Sequence, residues 1–419
     1  MKKMIHDHYH WVIAAAVFLH LGIFVGYGNV GGLFVLPVTE SLGISRSSYS
    51  LAATLLYGLF SCLVQIVSGP AYKRFGYRKM ICFGLPLAAV SYLVIAGAQD
   101  LTGLLIGYAL RGIAFGLCAS TNANRVINEW FHRHRGLVWG VLAAVTGLGG
   151  SAWCLILPPV IQESGWRSAY VLAAGLVCLV MIINLIFIRN KPTDMGLLPY
   201  GEGEHIKKTN ISDEHFQGCS FQELVRKPIF YLTMATLFVV FVSVYLPNSV
   251  IVAHMCDKGL SDMEAAQLQS ILLFALAISK VILGWLIDRI GIRIVTVICC
   301  LCAAISMFLL PTVSDYSQAL VAVIIYGLGL PLTTIIVPAL TIDLFGYHSY
   351  VTAVGIFSAT ISMGSMMAGP LSNISFDNLG SYTLVFRIGA VVMLAMIAVL
   401  LVIFHRADKL RKQLEQETV

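Results

Sequence analysis

Twelve long apolar stretches decide what this chain can become. They run over residues 11–38, 48–72, 79–98, 101–128, 136–161, 168–188, 228–254, 264–288, 292–313, 316–342, 350–376 and 382–404. A helix needs about 20 apolar residues to cross the hydrocarbon of a bilayer, and each stretch is that long. The pattern predicts an all-α membrane protein, because a spanning helix satisfies its backbone polar groups internally. Composition agrees. Of 419 residues, 58% are hydrophobic and 11% charged, against about 25% charged in a soluble domain. Mean hydropathy is +0.84. These values exclude a soluble enzyme, a nucleic-acid-binding protein and a disordered chain. An outer-membrane barrel is excluded as well, since its strands alternate and read as weakly apolar. Most of the ten cysteines lie inside apolar runs, Cys299, Cys300 and Cys302 among them. They read as small packing residues, not as a disulfide framework. The start MKK precedes an apolar run too long for a signal peptide, so none is expected.

Charge sets the orientation. The net charge of +6 comes from 27 Lys and Arg against 21 Asp and Glu. With the amino terminus inside, only Arg46, Arg167 and Lys258 fall on outer loops. Arg111, Arg125, Lys280 and Arg387 fall within helices, and the remaining 20 lie on the inner side. The positive-inside rule therefore places both termini in the cytoplasm. A single polar segment, 189–227, joins two groups of six stretches. The expected division is an amino-terminal bundle over 1–188, a cytoplasmic linker over 189–227, a carboxy-terminal bundle over 228–405 and a tail over 406–419. The halves also repeat. LGISRSSYS before the second stretch matches KGLSDMEAA before the eighth, and GPAYKRFGYRK matches GWLIDRIGIRI at an offset of 215 residues. An internal repeat with a central linker is characteristic of transporters, with the substrate held near the bilayer midplane.

Residues 69–79 and 284–293 resemble the loop motif of the major facilitator superfamily, G-x-x-x-D-[RK]-x-G-[RK]-[RK]. The second copy carries Gly284, Asp288, Arg289, Gly291 and Arg293. The first carries Gly69, Arg74, Gly76, Arg78 and Lys79, with Lys73 where the family has Asp. The resemblance implies twelve helices in two pseudo-symmetric six-helix bundles. It implies a gating role for Gly69, Lys73, Arg74, Gly76, Gly284, Asp288, Arg289 and Gly291. A cation at Lys73 should weaken the lock that the family Asp helps to form, because it repels a helix N-terminus. The alternative is that these residues only anchor topology. NEWFHRHRGLVWGVLAAVTGLGG (128–150), GGLFVLPVTESLGISRSS and NKPTDMGLLPYG are similar to monocarboxylate porters and oxalate/formate antiporters. The glycines of the fifth and eleventh stretches (Gly136, Gly140, Gly147, Gly149 and Gly150; Gly355, Gly364 and Gly369) make smooth faces, for sliding or for tight packing.

Ionisable groups within the bilayer are costly and mark function. His20, Arg111 and Lys280 lie deep in their stretches, while Glu129, Asp288, Asp343 and Asp377 fall near ends. Deep cations without deep acids point to an anionic substrate. Lys280 occupies the place where the resembling porters carry a substrate-binding Arg. Alternatively it snorkels or stays neutral. Arg111 shares a helix face with Tyr108, Phe115 and Cys118 and is either a second substrate cation or a structural group. His20 shares a face with Phe24 and Tyr27 and is a candidate for proton coupling or a packing residue. Asn29 lies on the opposite face. The repeat offset pairs Lys280 with Gln65. Tyr57, Tyr245, Asn248 and Tyr326 are further polar tips for a pocket, or glue between helices. Arg125 and Glu129, one turn apart, read as an ion pair.

The expected function is secondary transport of a small organic anion, a mono- or dicarboxylate, by alternating access, as anion exchange or proton symport. Export of amphipathic or aromatic compounds is the alternative with the same fold. A non-transporting membrane receptor is the alternative of another class. With no H-E-x-x-H, G-x-S-x-G or P-loop, no enzyme, cofactor or metal is expected. The expected partners are the anion, protons and membrane lipid, with no nucleic acid. A monomer, multi-pass in the cell membrane, is the expected form.

Overall fold

The structure is a computed structural model that describes residues 9–132, 135–201, 221–333, 336–346 and 348–417. It is built of helices: α1 (Tyr9–Gly28), α2 (Gly31–Leu42), α3 (Arg46–Gly97), α4 (Leu101–Trp130), α5 (Arg135–Phe187), α6 (Pro228–Asn248) and α7 (Ile251–Asp257). After these come α8 (Asp262–Ile290), α9 (Ile292–Thr312), α10 (Tyr316–Leu332), α11 (Ile336–Phe345), α12 (Tyr350–Leu379) and α13 (Thr383–Glu417). Among the described residues nine helices are long and apolar enough to cross a membrane. The all-α membrane fold expected from the sequence is therefore present.

The twelve apolar stretches do not correspond to twelve continuous helices. Four of them break, the fourth at Ala119 (φ −65°, ψ 165°) within α4. The first divides into α1 and α2 at Val30 (φ −107°, ψ 16°). The seventh divides into α6 and α7 at Val250 (φ −126°, ψ 3°), just after Pro247 and Asn248. The tenth divides into α10 and α11. Conversely, α3 carries the second and third stretches and α5 the fifth and sixth. With 52 residues, α3 would extend about 78 Å if straight, far more than one bilayer crossing. It turns instead at Gly76 (φ 73°, ψ 164°), and α5 turns at Gly165 (φ 78°, ψ 163°). Only glycine adopts such angles without strain.

The 215-residue repeat is visible in backbone chemistry. Gly76 and Gly291 share a positive φ (73° and 84°). Asp100 caps α4 by accepting from Gly103 N at 2.9 Å, and Asp315 caps α10 by accepting from Gln318 N at 2.9 Å. Each carboxylate satisfies an orphan N–H and favours the positive helix end. The outer surfaces of the helices carry exposed apolar side chains such as Ile66, Phe83, Val281, Trp285 and Leu401, the pattern of helices immersed in lipid.

Two compact units emerge: Met1–Ile206 with Ser261–Ala277, and Lys207–Leu260 with Ile278–Val419. Helix α8 begins in the first and ends in the second. In the first unit, residues 189–200 are fastened to the bundle's end. Trp130 Nε1 donates to Arg189 O at 3.1 Å and Tyr9 Oη to Phe187 O at 2.6 Å. Tyr200 N donates to Trp130 O and His132 N to Tyr200 O. The Tyr200 ring lies 4.4 Å from His10, and Trp11 lies edge-on to Phe131 at 5.3 Å. Tyr200→Ala removes the ring and keeps the backbone bonds. It should speed cleavage by endoproteinase Asp-N at the exposed Asp194 in the folded protein, since an aromatic contact contributes about 0.5–1.5 kcal/mol beyond area. An unchanged cleavage rate would assign the anchoring to the backbone bonds alone.

Candidate functional site

In the first unit the cation of Arg111 is enclosed by tyrosine. Its guanidinium carbon lies 5.2, 5.1, 5.5 and 5.7 Å from the ring centres of Tyr27, Tyr57, Tyr92 and Tyr108. Such faces attract a cation through the ring quadrupole. Local sequence aims these rings. Wide π turns over Leu21–Val25 and Leu51–Leu56 immediately precede Tyr27 and Tyr57 and shift the faces that follow. Arg111 also donates to Tyr27 O, at a long 3.5 Å. Behind Tyr108, three hydroxyls form a chain: Tyr49 to Tyr108 at 2.9 Å and Tyr108 to Tyr170 at 2.7 Å. Tyr57 is part-exposed, whereas Tyr27, Tyr92, Tyr108 and Tyr170 are buried.

The sign of the buried charge is uniform. Arg111 is 6% exposed and Lys280 8%, and no Asp or Glu is buried among the described residues. Lys280 lies in the second unit on α8, next to Ser279, whose hydroxyl donates to Gly327 O at 3.1 Å. Its burial removes the option of snorkelling to the surface. Also in the second unit, Tyr326 Oη donates to Val244 O, beside the part-exposed Tyr245 and Asn248.

Other candidates stand apart from the cage. His20 is fully buried, with Tyr77 Oη 3.4 Å from its Nδ1 and the Phe24 ring at 5.8 Å. The π turn that follows it carries Tyr27 away to Arg111. Asn29 Nδ2 donates to Thr146 O at 3.1 Å, and its own carbonyl accepts from Gln269 Nε2 at 3.2 Å. Gln65 donates to Ser61 Oγ at 2.9 Å.

The loop-motif residues divide by chemistry. Gly76 faces Asn190, whose Oδ1 accepts from Arg78 N at 2.9 Å. Gly69 lies 3.4 Å from Arg125 by its would-be Cβ, whereas Gly284 and Gly291 face open space. Lys73, Arg74 and Arg289 are exposed. Arg74 lies over Phe75 and Arg289 over Trp285. The side chain of Asp288 lies outside the described residues. Arg293 bonds Asp343 at 2.6 Å and Asp408 at 2.7 Å, while Arg78 donates to Leu185 O at 2.8 Å. Arg125 does not pair with Glu129. It donates to Asn122 Oδ1 at 2.8 Å and lies over Tyr72.

The glycines of α5 make two faces, not one. A Cβ on Gly149 would collide with the Gly22 carbonyl on α1, whereas Gly147 and Gly150 face Leu273 on α8. The helical step of about 100° explains this, since residues three apart share a face and Gly149 does not. Gly140 and Gly355 face open space, and Gly364 meets Phe238 O at 2.8 Å. The surroundings of residues 133–137, Gly136 included, lie outside what the structure describes.

Sequence reasoning missed Tyr92, Tyr49 and Tyr170. They come from three separated places on the chain, so no spacing rule groups them. The usable signal was the presence of polar-tipped rings on otherwise apolar helices.

The chain matches the Major Facilitator Superfamily over residues 16–352 and 233–418. It is similar to Monocarboxylate transporter 11 of Homo sapiens, 25% identical and covering 92% of this chain and 81% of that one. It is also similar to the oxalate:formate antiporter of Oxalobacter formigenes, 24% identical over 83% and 80%. Its fold is that of the nucleoside transporter NupG, with a TM-score of 0.71 at 12% identity, covering 94% of this chain and 99% of that one. The chain belongs to the Major Facilitator Superfamily and is a multi-pass membrane transporter of small molecules.

Proposed function

We propose that this protein is a secondary transporter of small organic anions, mono- or dicarboxylates, working by alternating access as an anion exchanger or a proton symporter. The observation that carries this reading is the sign of the buried charge: two buried cations, Arg111 and Lys280, and no buried acid among the described residues. A buried cation favours a counter-charge, and an anionic substrate is a counter-charge that either can take. The monocarboxylate transporter and oxalate:formate antiporter among its relatives support the same class. Lys280, Arg111, Tyr27, Tyr57 and Tyr108 are the proposed binding residues, with Gln65, Asn29, Tyr245, Asn248 and Tyr326 as further polar contacts and His20 as the proton acceptor. We place both termini on the cytoplasmic side of the cell membrane.

A second reading, export of amphipathic or aromatic compounds, draws on the tyrosine rings. Uptake into proteoliposomes separates the two. Saturable uptake of at least one of formate, oxalate, lactate, pyruvate or succinate is expected. Transport of cationic amphiphiles with none of these acids would overturn the anion reading.

A further inference from the structure

We propose that Arg111, Tyr27 and Tyr92 form a four-donor cradle that holds one ionised carboxylate group. This rests on the organic-anion function above and names the recognition chemistry inside the first unit. Arg111 has five N–H donors and no acceptor. Among the described residues it uses one of them, in the long bond to Tyr27 O. The hydroxyl of Tyr27 is buried without a hydrogen-bond partner among the described residues. The hydroxyl of Tyr92 is likewise buried without a hydrogen-bond partner among the described residues, and its ring lies 5.5 Å from the guanidinium carbon. The two rings lie 4.9 Å apart, and both lie over the same cation.

A buried hydroxyl without a partner destabilises the fold that carries it. Two of them beside one cation, in a membrane-embedded helix bundle, serve no packing purpose that phenylalanine would not serve better. A carboxylate resolves all three deficits together. It offers about four lone-pair sites. The guanidinium fork fills two in the bidentate manner arginine favours, and the two hydroxyls fill the others. Tyr49, Tyr108 and Tyr170 are not among the four donors, because their hydroxyls already bond one another; Tyr108 acts in binding through its ring over the guanidinium. Access is by way of Tyr57, the part-exposed ring of the cage, next to Gly28, whose would-be Cβ lies 3.9 Å from Tyr57 Oη.

The chemistry fixes a specificity. An amide or ester analogue of the same acid brings no negative charge to meet the buried guanidinium, which has no acceptor of its own. Both are rejected. The cradle is filled by one carboxylate, so it takes one carboxylate group of the ligand and leaves the rest of the molecule outside it.

The test uses the purified full chain. Wild type, Tyr27→Phe and Tyr92→Phe are unfolded thermally, alone and with lactate, pyruvate, benzoate or oxalate, and with lactamide and benzamide as neutral controls. Without acid, both variants should melt at or above the wild-type temperature, since each loses only an unpartnered hydroxyl. With the acid that stabilises wild type, each should bind about tenfold more weakly, and the amides should have no effect. Variants that melt lower without acid and bind it as tightly as wild type would make the hydroxyls structural and overturn the cradle. If wild type binds an acid and neither variant loses affinity, the cradle fails while the anion function stands. If wild type neither binds nor transports any of the acids, both fall together. The two variants differ from wild type by one oxygen each, and either alone decides the matter.

Discussion

Lys280→Ala should abolish carboxylate uptake in proteoliposomes while leaving the protein folded. Lys280 is the one buried lysine among the described residues, and a substrate carboxylate bound beside it loses its counter-charge in the variant. Truncating one partner of a buried charge pair costs about 2–5 kcal/mol. Uptake at low substrate should therefore fall on the order of 10²–10³-fold. The melting temperature of the variant, measured alongside, separates loss of the site from loss of the fold. The conservative control is Lys280→Arg. A guanidinium restores the charge but imposes a planar fork in place of a point charge, so part of the activity should return with an altered preference among acids. Unchanged affinity and rate in Lys280→Ala would remove this residue from the site and leave the anion to Arg111.

The largest effect on stability is expected at Gly149. Helices α1 and α5 meet there backbone to backbone. A Cβ on Gly26 would come within 2.8 Å of Gly149 C, and a Cβ on Gly149 would collide with the Gly22 carbonyl. Small residues let membrane helices approach closely, and no rotamer can relieve a clash with main chain. Gly149→Ala should cost at least the about 1–3 kcal/mol typical of overpacking, seen as a melting temperature lower by about 5 °C or more in detergent. Gly140, one helical face away and in open space, should accept alanine with no loss. Equal melting temperatures for the two variants would show that the helices separate without penalty.

Much of the architecture could be read from the chain before any coordinates. Apolar length marked the membrane spans, and the offset between the two loop motifs located Gly76 and Gly291, which share a positive φ. The buried cations were legible too, since charges within long apolar runs are few. What sequence did not reveal came from geometry that a helical wheel cannot carry. The breaks at Val30 and Val250 divide runs that look continuous, because valine there is as apolar as its neighbours. The π turn at Leu21–Val25 separates His20 from Tyr27, which a regular wheel puts together. The cage around Arg111 takes Tyr27, Tyr57, Tyr92 and Tyr108 from α1, α3 and α4, and contacts between separate helices leave no periodic trace. The expected Arg125–Glu129 pair failed because Asn122, one turn the other way, offers a closer acceptor.

The two equivalent arginines, Arg78 and Arg293, are held by different forces. Arg78 binds the neutral carbonyl of Leu185, whereas Arg293 binds two carboxylates that are themselves partly solvent-exposed. Screening weakens exposed ion pairs and hardly touches a hydrogen bond to a backbone carbonyl. Two turns built on one backbone plan thus differ in their sensitivity to ionic strength. Added salt acts on the second unit's turn and leaves the first unit's turn as it was.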